Sequence, residues 1–351
     1  MDRISSAVEP KLASVEIPRN RLRSTVVKVT VSSVPWLIIG GLLWAGLFVK
    51  PQPAGGTVQP PVLERRDHFY GIAAAPNEDI WVAGSDGKIV AVDKQGLTRP
   101  LVSATHQTLQ DIATWDDSHG VAVGNEGVVL ITSNGGHSWK TVESVPRSEV
   151  ANKLTRVRVA ADGKAVATGE MGALLISKDY GATWTRLRDE EDVAWNDAAL
   201  LPDDRLVVVG EFGRILVSPD GGNTWDTPKV PVESSLMAVS FRNANEGVAV
   251  GLEGVVLTTR DGGRSWHREK QDSHAHLFDV TWDDANQRWL GVGALGTWIQ
   301  AGPEASDWQS GRLDERDLAW HTRILPKGKE AWLAGANVGR WDEKRWHILG
   351  H

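Results

Sequence analysis

The 351-residue sequence contains no cysteine, and its net charge of −7 comes without any basic stripe. A chain without cysteine forms no disulfide and no thiolate metal site. The mildly acidic balance gives no support to nucleic-acid binding, which depends on clustered lysine and arginine. Three patterns of common active sites are also absent: Gly-x-Ser-x-Gly, a Walker-type Gly-Lys-Ser/Thr loop and His-Glu-x-x-His. The sequence therefore predicts no enzymatic activity, no cofactor and no metal.

Glycine and tryptophan, in contrast, are abundant, with 36 and 17 residues. Many glycines with many β-branched residues and few helical apolar periods are typical of an all-β chain rich in turns. Beyond residue 64, apolar strands end in glycine at spacings of 40 to 45 residues: Gly84, Gly124, Gly169, Gly210, Gly251, Gly293 and Gly335. A repeat of this length with four short strands predicts a propeller blade. The sequence thus predicts an all-β, seven-bladed β-propeller over residues 64–351, with four strands in every unit.

Four of these units share a turn after their third strand. A hydroxyl residue is followed two positions later by Asp or Asn, then by Gly, and finally by Ser/Thr-Trp. The carboxylate or amide can accept N–H bonds within its own turn, and the tryptophan begins the next strand and packs against it. The predicted structural residues of the four turns are Asn134, Trp139, Asp179, Trp184, Asp220, Trp225, Asp261 and Trp266. The first, sixth and last units carry degenerate versions of the turn.

A second feature precedes the repeats. Residues 29–49 carry no charge, and because about 20 residues at helical rise match the hydrocarbon core of a bilayer, the sequence predicts one N-terminal transmembrane helix over residues 29–49. Four basic residues lie just before this span, so the positive-inside rule predicts a cytoplasmic tail over residues 1–28. A Pro/Gly-rich linker over residues 50–63 then leads to a propeller outside the cytoplasm, on the inner membrane. The alternatives are a cleaved signal peptide and a buried core helix. The preceding segment is long for a signal peptide and no Ala-x-Ala site follows, and so uniformly apolar a core helix would be out of place before a β domain.

The repeated turn resembles the Asp-box, or BNR repeat, of sialidases and related propellers. The longer unit, Val-Gly-x-x-Gly followed by three apolar residues and the Asp-box, is similar to the photosystem II stability and assembly factor family. The similarity covers residues 64–351 and is strongest from Val121 to Trp266. It implies an extracytoplasmic propeller that assists the assembly or stability of a membrane complex. Relatives in photosynthetic organisms use a basic patch for their partner, and no such cluster occurs at these turns, where Arg214 is the main exception.

Acidic residues instead occupy the Gly-x-x-Gly turns, which we expect to lie opposite the Asp-box turns: Asp86, Glu126, Glu170, Glu211 and Glu253. Three interpretations are open: the carboxylates merely keep exposed turns hydrated, they form a contact surface for a basic partner, or they form a weak cation site. His274 and His276 could offer two imidazoles to a metal, but no third ligand is placed by spacing.

The leading functional hypothesis is a membrane-anchored, protein-binding accessory or assembly factor for an inner-membrane complex. One alternative is a fixed subunit of a membrane transporter that uses both the helix and the propeller. Gly40, Gly41, Ala45 and Gly46 would permit close helix packing, which favours a membrane partner. The other is a glycan-binding or glycosidase-like propeller. Sialidase chemistry needs a tyrosine nucleophile and an arginine cluster. Of two tyrosines, Tyr180 lies within an Asp-box turn, which leaves Tyr70.

Overall fold

The computed structural model describes residues 21–48, 62–160 and 162–350 of a chain that divides into two units, residues 1–59 and 60–351. The first unit contains one helix, α1 (Arg21–Phe48), with Pro35 inside it. Its described side chains between Val34 and Phe48 are exposed. Among the described residues, no helix combines the length and the apolar content needed to cross a bilayer. The expected tail up to residue 20 and linker from 50 to 61 lie outside the described residues.

The second unit is built from seven antiparallel sheets, each made of strands consecutive in the chain. Blades 1 to 3 contain β1 (Phe69–Ala74), β2 (Ile80–Gly84), β3 (Ile89–Val92), β4 (Thr98–Leu101), β5 (Leu109–Thr114), β6 (Gly120–Gly124), β7 (Val129–Thr132), β8 (Lys140–Thr141), β9 (Leu154–Val159), β10 (Ala165–Gly169), β11 (Leu174–Ser177) and β12 (Thr185–Arg186). Blades 4 and 5 contain β13 (Trp195–Leu200), β14 (Leu206–Gly210), β15 (Ile215–Ser218), β16 (Leu236–Phe241), β17 (Gly247–Gly251), β18 (Val256–Thr259) and β19 (His267–Arg268). Blades 6 and 7 contain β20 (Leu277–Asp283), β21 (Arg288–Gly293), β22 (Thr297–Ala301), β23 (Gln309–Arg312), β24 (His321–Lys327), β25 (Glu330–Gly335), β26 (Val338–Trp341) and β27 (Trp346–Ile348). The all-β, seven-bladed propeller expected from the glycine spacing is confirmed.

Packing between neighbouring blades forms the core. The second strands of the blades are buried along almost their whole length, as in β6 and β14, because each sheet has a neighbour on both faces. Seven apolar clusters result, one between each adjacent pair of blades. The cluster between blades 7 and 1 contains Phe69, Val82 and Trp332. The ring therefore closes by side-chain packing, and the described residues 62–66 form no strand.

Blade 4 departs from the other six. Its sheet has three strands, and the outer segment adds only one bridge, between Val217 and Asp226. In blade 2 the corresponding outer segment continues, with the N–H of Val142 donating to the carbonyl of Val129 at 2.9 Å. Pro228 occupies the equivalent position in blade 4, and proline has no N–H to donate. The expectation of four strands in every unit is wrong for this blade.

The Asp-box turns form compact networks of hydrogen bonds. Asp179 accepts the N–H of Thr183 at 2.9 Å with one oxygen and the Thr183 hydroxyl at 2.6 Å with the other, while Ser177 accepts the N–H of Gly181 at 2.9 Å. Asp220 and Asp261 make the same bonds in their own turns. Bonds from the backbone N–H and the hydroxyl of Thr224 hold the pKa of Asp220 below its usual range. These carboxylates are committed to their turns and are not free for chemistry.

The tryptophans that follow the turns differ in burial. Trp139, Trp184 and Trp266 are buried, and the indole N–H of Trp184 donates to the carbonyl of Gly181 at 2.8 Å. Trp225 keeps the equivalent bond at 3.1 Å but is only half-buried. It follows the turn of blade 4, where the outer strand is missing. The four tryptophans are therefore not equivalent.

Candidate functional site

The two faces of the ring carry different sets of turns. The Gly-x-x-Gly turns lie where the connections between blades enter the innermost strands: the N–H groups of Ser85 and Asn125 donate to the carbonyls of His68 and Thr108, both at 2.9 Å. We call this the connection face. The Asp-box turns lie on the other face, beside the turns between first and second strands, as when the N–H of Gly221 donates to the carbonyl of Asp204 at 2.9 Å. We call it the Asp-box face.

Each of six turns on the connection face has a tip residue at positive φ. These residues are Asp86, Glu126, Met171, Phe212, Glu253 and Leu295. Three of the five predicted carboxylates, in blades 1, 2 and 5, are therefore exposed tip residues. Glu170 and Glu211 occupy the preceding turn position and are half-buried. The five carboxylates share one face, but they do not form a ring of equivalent groups.

The carboxylates also differ in their contacts. Glu211 accepts the N–H of Ala194 at 2.8 Å, and Glu253 accepts the hydroxyl of Ser234 at 2.9 Å. One oxygen of Asp86 lies 3.5 Å from Nδ1 of His106. Within the described ranges, the side chains of Glu126 and Glu170 form neither a hydrogen bond nor an ion pair. These two carboxylates remain available to a ligand, while the other three also support neighbouring segments.

Exposed apolar side chains gather on the connection face as well. The propeller's large exposed apolar residues divide between the two faces. Five lie on the connection face, namely Val102, Val150, Phe212, Leu295 and Leu318, and Leu97 and Tyr180 lie on the Asp-box face. This feature was not predicted from the sequence. The sequence pattern that could have indicated it is a bulky apolar residue at a turn tip, a position that ordinarily favours Gly, Asn or Asp.

At the centre of the connection face, the mouth of the channel is uncharged. The second residue of each innermost strand lines it, and all seven are half-buried: Tyr70, Gln110, Thr155, Asn196, Met237, Phe278 and Thr322. The amide of Asn196 donates to the carbonyl of Leu236 in the next blade at 2.8 Å. Tyr70 stacks on Trp320 with ring centroids 5.6 Å apart, and burial raises its pKa.

Below the mouth, charged residues of five innermost strands form a belt of ion pairs. Its members are Asp111, Arg156, Arg158, Asp197, Asp279 and Arg323, which we call the ion-pair belt. Arg156 pairs with Asp279 at 3.0 Å and with Asp197 at 3.3 Å. Arg323 pairs with Asp111 at 2.9 Å. The belt crosses the channel between opposite sides of the ring.

Each aspartate of the belt also bonds to the next blade. Asp111, Asp197 and Asp279 accept the backbone N–H groups of Val157, Val239 and Ile324 at 2.9 to 3.0 Å. Burial opposes ionisation of Asp197, but Arg156 and Arg158 hold its pKa below the usual range. Three carboxylates facing three guanidinium groups leave the belt without net charge. It joins blades across the channel and is a structural feature.

No group of three or more His, Cys, Asp or Glu side chains suited to a metal ion occurs in the described part of the chain. His276, one of the two histidines singled out in the sequence, accepts the N–H of Glu253 with its Nδ1 at 3.0 Å. Tyr180 lies on the Asp-box face, where its ring packs 4.3 Å from that of His119.

Seven blades with Asp-box turns after four consecutive third strands define a BNR-type β-propeller. The family profile described as "Photosynthesis system II assembly factor YCF48" matches residues 99–193 and 223–276, less than half of the chain. No curated protein sequence matches significantly. The similarity noted from the repeat unit is confirmed, and the chain is a YCF48-like BNR propeller.

Solved structures show the same fold at low sequence identity. One is described as YCF48 bound to D1 peptide, with a TM-score of 0.61 and 16% identity, covering 77% of this chain and 91% of that one. YCF48 from Cyanidioschyzon merolae has a TM-score of 0.62 and 14% identity, covering 79% and 95%. The WD40 propeller domain of Doa1 reaches 0.66 at 9% identity, covering 79% and 92%. At these identities the likeness establishes the fold.

Proposed function

We propose that the chain is a membrane-anchored, extracytoplasmic propeller that binds a protein and serves as an accessory or assembly factor for an inner-membrane complex. The observation that carries the proposal is the connection face, where free carboxylates and exposed apolar side chains occur together. Exposed apolar groups concentrated on one surface are characteristic of interaction sites. The structure described as YCF48 bound to D1 peptide supports a protein ligand for this kind of propeller.

The charge of the connection face sets the chemistry of the contact. We assign the contact to Asp86, Glu126, Glu170, Glu211 and Glu253, which favour a partner with lysine and arginine on its surface. The aspartates of the Asp-box face accept bonds within their own turns and have less capacity for a ligand. The connection face is therefore the better binding surface of the two.

The proposed anchor is the uncharged segment 29–49, with residues 1–28 in the cytoplasm, residues 50–63 as a linker and residues 64–351 outside. Its support is the run without charge and the basic residues before it. The described part of α1 adds exposed apolar side chains, among them Trp36 and Trp44. Such a helix needs an apolar environment, which a bilayer provides.

A topology reporter tests the anchor. An enzyme that is active only outside the cytoplasm, fused after His351, should be active because the basic tail stays inside. The same reporter placed before residue 29 serves as the control and should be inactive. Activity of only the second fusion would reverse the proposed orientation.

Capture from membranes tests protein binding. The full chain, crosslinked in native membranes and purified in detergent, should retain an integral membrane protein. A chain lacking residues 64–351 separates the contribution of the helix from that of the propeller, and we expect it to capture less. Equal capture by this truncated chain would assign the contact to the helix.

A fixed subunit of a transporter is the second candidate. Its basis is the small-residue face of the proposed anchor, formed by Gly40, Gly41, Ala45 and Gly46. Small residues of this kind allow close approach of another helix in a membrane. A glycan-processing role gains no comparable support, because Tyr70 stacks on Trp320 and Tyr180 lies on the opposite face.

A further inference from the structure

We infer that the half of the connection face formed by blades 3 to 6 is a docking surface for a positively charged amphipathic helix of the partner. The inference rests on the proposed function in taking the connection face as the contact surface. It goes further by locating the contact and by stating the chemistry of the segment that occupies it.

The apolar turn tips of the connection face are unevenly distributed around the ring, although the exposed Val102 and Val150 lie in the connections that follow blades 1 and 2. The turn tips of blades 3, 4 and 6 are Met171, Phe212 and Leu295, and Leu318 lies in the connection that packs beside the blade 6 turn. The turn tips of blades 1 and 2 are Asp86 and Glu126. Blades 3, 4 and 6 therefore present apolar tips, whereas blades 1, 2 and 5 present carboxylates.

The channel mouth continues this apolar surface. Met237 of blade 5 and Phe278 of blade 6 line it and are half-buried, whereas blades 2 and 3 contribute Gln110 and Thr155. A ligand cannot enter the channel beyond its mouth, because the ion-pair belt crosses the channel beneath it. A partner side chain can thus rest against Met237 and Phe278 but cannot pass through the ring.

Folding gains less from Phe212 and Leu295 than from a buried apolar side chain, because large parts of both side chains are exposed. Phe212 is 69% exposed at φ 57°, and Leu295 is 48% exposed at φ 58°. A bulky side chain in the left-handed region is unfavourable, and Gly or Asn would fit the turn better. Exposed apolar groups held at a conformational cost are a feature of contact surfaces.

The charges around these tips decide between possible occupants. Glu170 and Glu211 directly precede Met171 and Phe212, and Glu253 is the tip of blade 5 between Phe212 and Leu295. Arg214, two positions after Phe212, is a basic exception, but its guanidinium pairs with Glu191 at 3.3 Å. An anionic lipid surface would be repelled by the carboxylates of these turns. A helix with an apolar stripe bordered by Lys and Arg matches both the apolar groups and the charge.

The variant that tests the inference is F212N combined with L295N. Asparagine tolerates the left-handed region, so the melting temperature should stay the same or rise while the apolar contacts are lost. L97N is the matched control, because Leu97 is 70% exposed but lies on the Asp-box face. Stability and binding should therefore change in different directions, which separates lost contact from misfolding.

The probe is a fluorescent amphipathic helix of about 18 leucine and lysine residues, long enough for a continuous apolar stripe. We expect the detergent-solubilised full chain to bind it, the double variant to bind at least about tenfold more weakly, and L97N to match the parent. Three results would overturn the inference. The parent does not bind the probe, the double variant binds it as tightly as the parent does, or a probe with glutamate in place of lysine binds as tightly as the original. A loss of affinity for anionic vesicles in the double variant would also overturn it, and would identify a lipid surface as the occupant.

Failure of the inference is distinguishable from failure of the proposed function. If the double variant and the parent capture the membrane protein equally after crosslinking, the proposed function stands and the assignment of the docking surface is wrong. If the parent captures no membrane protein, the proposed function itself fails.

Discussion

Replacing Asp197 by alanine should destabilise the propeller by about 3–5 kcal/mol, because it leaves Arg156 and Arg158 with Asp279 as their one nearby carboxylate inside the ring. Asp197 is 0% exposed, and it lies 3.3 Å from Arg156 and 2.7 Å from Arg158. It also accepts the N–H of Val239 at 3.0 Å, so the substitution removes a link to blade 5 as well. Denaturant unfolding of the isolated propeller measures the loss.

An exposed ion pair provides the matched control for this prediction. Glu304 pairs with Arg260 at 3.4 Å, and both side chains are 65% exposed. Solvent screening limits such a pair to about 0–1 kcal/mol, so E304Q should unfold almost as the parent does. If D197A unfolds no more easily than E304Q, the ion-pair belt does not stabilise the ring.

The second large effect is expected at the tryptophans that follow the Asp-box turns. Trp266 is 4% exposed and packs between blades 4 and 5, so W266A should cost about 3–5 kcal/mol through the cavity it leaves. Trp225 is half-buried, and W225A should cost clearly less. Unfolding curves of the two variants under identical conditions test the difference. Equal losses would show that burial of the indole does not determine its contribution.

This difference could not be predicted from the turn pattern. The sequence around Trp225 matches the Asp-box as well as that around Trp184 or Trp266. The indole of Trp225 is more exposed in the blade whose outer strand is interrupted at Pro228, and Arg188 lies 5.8 Å from its ring centroid. A local pattern specifies a turn, whereas burial depends on the neighbouring strands.

The propeller was predictable because its repeat is local in sequence. Each blade consists of consecutive strands, so the spacing from Gly124 to Gly335 reports one blade at a time. The alternating connectivity also places the Gly-x-x-Gly turns opposite the Asp-box turns. The number of blades and the two faces follow from these local features.

The ion-pair belt was not predictable in this way, because its partners meet only once the ring has closed. Arg323 and Asp111 are separated by 212 positions in the chain, and Arg156 and Asp279 by 123. The apolar half of the connection face was missed for a different reason. Phe212 and Leu295 occupy the same turn positions as the carboxylates of blades 1, 2 and 5, and the repeat pattern does not distinguish an exposed apolar tip from a buried one.

The most direct test of the account is partner capture by the variant E126Q/E170Q/E211Q/E253Q. Single exposed charge pairs contribute about 0–1 kcal/mol, so the four substitutions are combined. Glutamine can still accept the N–H of Ala194 and the hydroxyl of Ser234, and the fold should be unaffected. Crosslinked capture of the membrane partner should weaken, most clearly at low salt, while the melting curve stays unchanged. Undiminished capture with normal melting would contradict the assignment of the connection face as the acidic contact surface.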